Sequence, residues 1–144
     1  MSRIADTFAR CKAENRAAFI PFIMAGDPSP AACAALLNTL PEAGADIIEL
    51  GVPFSDPMAD GPVIALAAER ALAGGTNTLD ALNMVKEFRK NDAATPVVLM
   101  GYLNPVLQYG VENFCRDAAA AGVDGLFLQI RVAYYWPRVV PDYD

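Results

Sequence analysis

Histidine is absent from the 144 residues, and with it go Ser–His and Cys–His nucleophile pairs and the commonest transition-metal ligand. Acid–base chemistry therefore falls to carboxylates, tyrosine or lysine. Cysteine is scarce: Cys11, Cys33 and Cys115 are odd in number and far apart, so neither a disulfide framework nor a CxxC metal site is visible. They read as small hydrophobes, and no metal site is expected. Positive charge is also short, with 11 Lys and Arg against 17 Asp and Glu, a formal net charge of -6 and a pI near 4.5. The lack of a basic stripe argues against nucleic acid and anionic membrane surfaces as partners. No apolar run approaches the roughly 20 residues of a spanning helix. The start, Met1-Ser2-Arg3-Ile4-Ala5-Asp6, lacks the apolar core of a signal peptide. A cytoplasmic chain is expected.

What is present suits one core, at 54% hydrophobic residues and a mean hydropathy of +0.26. Strand and helix patterns alternate. Residues 2–14 suggest a leading helix, and Ala18–Ala25 an apolar strand closed by Gly26-Asp27-Pro28. From Ser29, the positions Cys33, Leu36, Leu37 and Leu40 form one helical stripe that Gly44 ends. Residues 46–51 read as the second strand. Residues 62–72 and 78–90 read as helices split by Gly74-Gly75, with Thr78 as N-cap of the second. Pro96–Gly101 is the third strand, Tyr109–Ala121 a helix with Phe114, Ala118 and Ala121 on one face, and a fourth strand starts at Val123. Continuous apolar strands alternating with helices predict a parallel sheet in an α/β fold. An open doubly wound sheet and a (β/α)8 barrel both satisfy this pattern.

The densest chemistry lies in residues 49–62, E-L-G-V-P-F-S-D-P-M-A-D-G-P. Glu49 sits in a short apolar strand, where burial is costly unless something pairs with it or uses it. It is followed by a loop stiffened by Pro53, Pro57, Gly61 and Pro62. Each residue also has a plain reading. A Glu at a strand end is often solvated or salt-bridged, Asp60 before Gly61-Pro62 is a natural helix cap, and Phe22 and Met100 suit a core.

This stretch closely resembles the signature of the tryptophan synthase alpha chain family. The likeness extends to Phe19-Ile20-Pro21-Phe22-Ile23-Met24-Ala25-Gly26-Asp27-Pro28 before it. After it come Pro96-Val97-Val98-Leu99-Met100-Gly101-Tyr102-Leu103-Asn104-Pro105 and Ala121-Gly122-Val123-Asp124-Gly125. The segments stand in the family's order over about residues 1–127. The resemblance selects the TIM-barrel type of α/β fold, whose active sites lie at the C-terminal ends of the strands. It implies aldol cleavage of indole-3-glycerol phosphate to indole and glyceraldehyde 3-phosphate. Glu49 would then be the acid–base carboxylate, favoured as a proton donor by an apolar surround from Ile48, Leu50 and Phe22. Asp60 would be the partner of the indole N–H. Phe22, Met100 and Tyr102 would line the substrate pocket. The same resemblance implies no cofactor in this chain and docking on a beta subunit that carries pyridoxal phosphate. The contacts would come from Pro53, Phe54, Asp56 and Pro57 of one loop and Asn104 of the next.

A complete barrel of this type needs about 250 residues, so the expectation is a half barrel of four β/α units over 1–127. Beyond Phe127 the sequence departs from the family, which continues its fourth strand into an acidic residue, a proline and a glutamate-rich helix. Residues 128–144 read as a divergent tail, whether frameshifted, truncated or fused, or with Tyr134, Tyr135 and Trp136 covering a sheet edge. Without the phosphate-binding loops after strands 7 and 8, catalysis by the chain alone is expected to be impaired. The rival readings are a non-catalytic half-barrel module that docks on a beta subunit or pairs with itself, and a different phosphate-binding barrel enzyme.

Overall fold

Four parallel strands lie side by side in chain order in the computed structural model, which describes residues 2–129. Helix α1, Arg3–Ala13, starts at Ser2, whose hydroxyl accepts from the Ala5 N–H at 3.2 Å. Strand β1 is Phe22–Met24, shorter than the apolar run 18–25, because Pro21 has no N–H to extend a ladder. The chain before it still runs beside the second strand, with the Asp46 N–H on the Phe19 carbonyl at 2.9 Å and the Glu49 N–H on the Pro21 carbonyl at 3.0 Å.

Helix α2, Pro30–Glu42, has Ser29 as N-cap and proline at its first position. Cys33 and Leu37 are fully buried, but Leu36 is 42% exposed, so the expected stripe is narrower than drawn and Leu36 lies on its edge. Strand β2 is Ile48–Gly51. Helices α3, Pro62–Ala73, and α4, Thr78–Phe88, follow. The cap of α4 is Asn77 and not Thr78: Asn77 accepts from the Leu79 and Asp80 N–H groups while the Asp80 carboxylate accepts from the Asn77 N–H. This reciprocal box satisfies more orphan donors than one hydroxyl could.

Strand β3 is Val97–Tyr102. It leads straight into helix α5, Leu103–Tyr109, where the sequence predicts a loop. Gly110, at φ +89°, separates α5 from helix α6, Val111–Ala121. Strand β4, Gly125–Gln129, takes up Leu128 and Gln129, so the divergent tail expected from residue 128 does not begin there. Tyr134, Tyr135, Trp136 and the rest of 130–144 lie outside the described residues.

Side chains alternate faces along each strand. Ile48, Leu50, Val97 and Leu99 point toward the helices and join Leu37, Leu82, Val85, Phe88, Phe114 and Ala118 in the main core. Fully burying each large side chain contributes about 1.5–3 kcal/mol. At the N-terminal ends of the strands, two acids, the buried Asp46 and the half-buried Asp124, are wrapped in arginines. Asp46 accepts from Arg10 at 3.0 Å, from Arg16 at 2.6 and 2.8 Å, and from the Phe19 N–H at 2.9 Å. Asp124 accepts from Arg3 at 2.8 Å, Arg89 at 2.6 Å and the Val97 N–H at 2.9 Å. Arg89 also donates to the Gly122, Thr95 and Asp92 carbonyls, joining α4 to the starts of β3 and β4.

Candidate active site

The face of the sheet turned away from the main core carries the candidate residues in layers fixed by register. Phe22 pairs with Glu49 and Glu49 with Val98, so these side chains share one level and one face. The next level holds Met24, Gly51, Met100 and Phe127, and the last holds Tyr102 and Gln129. Glu49 is the second residue of β2, two before its end, and is half-buried. Its strand neighbours Ile48 and Leu50 point the other way, into the main core. Of the apolar surround expected from sequence, only Phe22 shares the face of Glu49.

Gly51 occupies the level above Glu49 because nothing larger fits: an added Cβ would lie 2.6 Å from Phe22 Cζ and 3.0 Å from Met24 Sδ. Met24 packs on Ala67, Ala68 and Ala71 of α3, flanked by Phe22 and Ile64. Arg70 pins that helix to the loop after β1 through two bonds to Asp27, at 2.7 and 2.9 Å. The Arg70 bonds hold the Asp27 carboxyl below its ordinary value.

Asp60 closes the top. It does not cap α3; that position is Gly61, which has no side chain to do so, with Pro62 at the first helical position. Asp60 Oδ1 instead accepts from Gln129 Nε2 at 3.1 Å, and the same amide lies 3.9 Å from Met100 Sδ. The Tyr102 hydroxyl accepts from the Ala59 N–H at 3.0 Å, and the Tyr102 ring packs on Phe54 with centroids 5.2 Å apart. Burial pushes the Tyr102 phenol above its ordinary value, against the Ala59 N–H, and the neighbouring Asp60 charge adds to the rise. The fold thus gathers Asp60, Tyr102 and Met100 at the strand ends. Glu49 stands apart: its register partner Val98 is four residues before Tyr102, a backbone separation of about 13 Å along the strand. Neither Glu49 nor Asp60 forms an ion pair among the described residues.

Met100 and Tyr102 are buried and Phe22 is half-buried. Of the expected interface residues, Asp56 and Asn104 are exposed, Phe54 and Pro57 are half-buried, and Pro53 is buried within the chain. A groove of about 670 Å³ runs beside that loop, lined by Phe54, Pro57, Pro62, Leu66 and Leu72. Gln129 escaped the sequence reading, although alternation from Gly125 and Phe127 would have put it on the inner face. Among the described residues, no three His, Cys, Asp or Glu side chains cluster as metal ligands, and no helix is long and apolar enough to cross a membrane.

A family model described as tryptophan synthase alpha chain matches residues 8–129. The tryptophan synthase alpha chain of Acinetobacter baylyi is 66% identical over 128 residues, 89% of this chain and 48% of that protein. That of Psychrobacter cryohalolentis is 58% identical over 128 residues, 89% of this chain and 47% of the relative. Among solved structures, tryptophan synthase subunit alpha from Legionella pneumophila matches with a TM-score of 0.87 and 52% identity, over 89% of this chain and 49% of that one. A chain of the M. tuberculosis tryptophan synthase structure matches with a TM-score of 0.85 and 46% identity, over 92% and 52%. The chain therefore spans about half the length of the curated relatives it matches, and its α/β fold is of TIM-barrel type, with four β/α units in the described residues.

Proposed function

This chain belongs to the tryptophan synthase alpha chain family, and from that premise we propose that it carries the proton-transfer half of a site for aldol cleavage of indole-3-glycerol phosphate in L-tryptophan biosynthesis. Glu49 delivers a proton to the ring carbon that bears the side chain. Positive charge then develops on the ring nitrogen, and Asp60 stabilises it by accepting the N–H. Glu49, now a carboxylate, takes the proton of the adjacent glycerol hydroxyl as that carbon becomes the aldehyde of glyceraldehyde 3-phosphate, and the electrons of the broken carbon–carbon bond return to the ring as indole. The ring is the electron sink, so no step calls for a metal or a cofactor in this chain. Phe22, Met100 and Tyr102 enclose the ring.

The observation that carries this reading is the shared face. Two carboxylates without a cation among the described residues lie on either side of the level of Gly51 and Met100, where the Phe22 ring and the Met24 sulfur pack against Gly51. The substrate phosphate needs an anion site, which barrels of this type build after strands 7 and 8; the described residues include four strands. Full activity therefore requires the remaining strands, whether continuous with this chain or supplied separately. The exposed Asp56 and Asn104 and the adjoining groove support docking on a beta subunit, the carrier of pyridoxal phosphate, in a cytoplasmic heterotetramer.

The test is indole release from indole-3-glycerol phosphate by the 144-residue chain, alone and mixed with the C-terminal half of a relative's alpha chain. Release is expected to be slow alone and restored on mixing, then cut about 10²–10⁴-fold by Glu49→Gln. Full rate with Glu49→Gln or Asp60→Asn would overturn the proposal. A second reading, a non-catalytic module that pairs with a copy of itself or docks on a beta subunit, is favoured by strand β4, where Leu126 is 40% and Phe127 57% exposed. Size-exclusion chromatography separates the two: a compact dimer that releases no indole supports the module.

A further inference from the structure

Gln129 reaches Asp60 from strand β4, beside the Tyr102 phenol of strand β3. It closes strand β4, in register with Tyr102. Its Nε2 donates to Asp60 Oδ1 at 3.1 Å, whereas its Oε1 is buried without a hydrogen-bond partner among the described residues. The amide cannot turn over to relieve that orphan, because Oε1 would then face the Asp60 carboxylate oxygen. A buried acceptor held in place by a carboxylate, at the wall formed by Met100 and Tyr102, calls for a donor that the described residues do not supply.

We propose that Gln129 is a positioning and specificity residue. Its amide N–H fixes the Asp60 carboxylate, and its buried Oε1 is offered to the same N–H-bearing edge of an aromatic ring. This rests on the reading of Asp60 as the ring N–H partner. The arrangement presents two acceptors to one ring edge. A heteroaromatic with N–H shares its single hydrogen between them, while one of the same shape with sulfur in place of N–H offers no donor and is rejected. Asp60 keeps its second oxygen for the ring, since a carboxylate has acceptor capacity beyond the one bond it makes here.

The first measurement needs no ligand. In the ¹⁵N-labelled chain, the Gln129 side-chain amide resonances should move and exchange faster with water in Asp60→Asn; unchanged resonances overturn the proposal. The second compares indole with benzothiophene by NMR titration of the chain. A preference for indole of about tenfold or more is expected, falling to about twofold or less in Gln129→Met, which keeps the length and removes the amide. If Asp60→Asn leaves the preference intact, the reading of Asp60 itself fails, and this inference with it. If Asp60→Asn removes the preference while Gln129→Met retains it, the Asp60 reading stands and the role of Gln129 is overturned. A chain that binds both rings equally, or neither, overturns both.

Discussion

Asp46 and Glu49 are three residues apart in one stretch of chain and live in opposite electrostatic worlds. Asp46, at the N-terminal end of β2, is buried and accepts bonds from two arginines and a backbone N–H. Glu49, three residues on, faces the inner side of the sheet and has no ion pair among the described residues. Asp124 and Asp60 repeat the contrast, the first clasped by Arg3 and Arg89 and the second bound by a neutral amide. An acid surrounded by cations is committed to its charge and to holding elements together. An acid on the inner face without a counter-ion among the described residues suits the proton transfer proposed above, in keeping with the division of labour between the two ends of such barrels.

The sharpest way to break this contrast is to neutralise one acid of each kind. Glu49→Gln should cost about 10²–10⁴-fold in indole release by the complemented site while moving unfolding free energy by no more than about 0.5 kcal/mol. A large loss of stability would make Glu49 a structural residue like Asp46. Next in size is Arg89→Met. The Arg89 side chain is only 10% exposed and bonds Asp124 together with three carbonyls, so its loss leaves a buried charge half-compensated and should cost about 3–5 kcal/mol in urea unfolding. Asp46→Asn should cost less, about 1–3 kcal/mol. Arg10 and Arg16 are half-exposed and can return to water, while the amide keeps one acceptor for the Phe19 N–H.

The smallest effect is on pH dependence. Bonds from Arg16, then the Phe19 N–H, hold the Asp46 carboxyl well below the usual carboxylate range, and the Arg70 bonds lower that of Asp27. A carboxyl depressed in the folded state contributes stability that is fully present above its unfolded value, near 3.9, and is lost as pH falls through the lower folded value. The urea midpoint should therefore be flat above about pH 5 and fall below about pH 4, and Asp46→Asn should flatten that decline. An unchanged decline would mean that the arginine clasp contributes little.

The strands of the middle of the sheet were legible because buried parallel strands are continuous apolar runs, and Ile47-Ile48 and Val97-Val98-Leu99 stand out as such. The carboxylates were legible because Glu49 interrupts one of those runs and Asp60 ends a proline-rich loop. Errors arose where neighbours compete. Thr78 and Asn77 are both good caps, and only the reciprocal bond with Asp80 decides between them. Leu36 belongs to the apolar stripe by spacing, yet the helix meets the sheet at Cys33 and Leu37. Helix α5 was hidden because Asn104-Pro105 reads as a turn, although proline is tolerated in a first helical turn.

Residue order alone determined the alternation of strands and helices, the absence of histidine-based chemistry, the family likeness, and the pair of acids on which the proposed reaction rests. Those are local or compositional properties, set by periodicity and side-chain chemistry. Tertiary structure decided which acids are clasped and which are open, that Ile48 and Leu50 turn away from Glu49, and that Gln129 reaches Asp60 across 69 positions of chain. Strand register fixes which side chains share a level and a face, and register is a relation between distant segments that no single segment encodes.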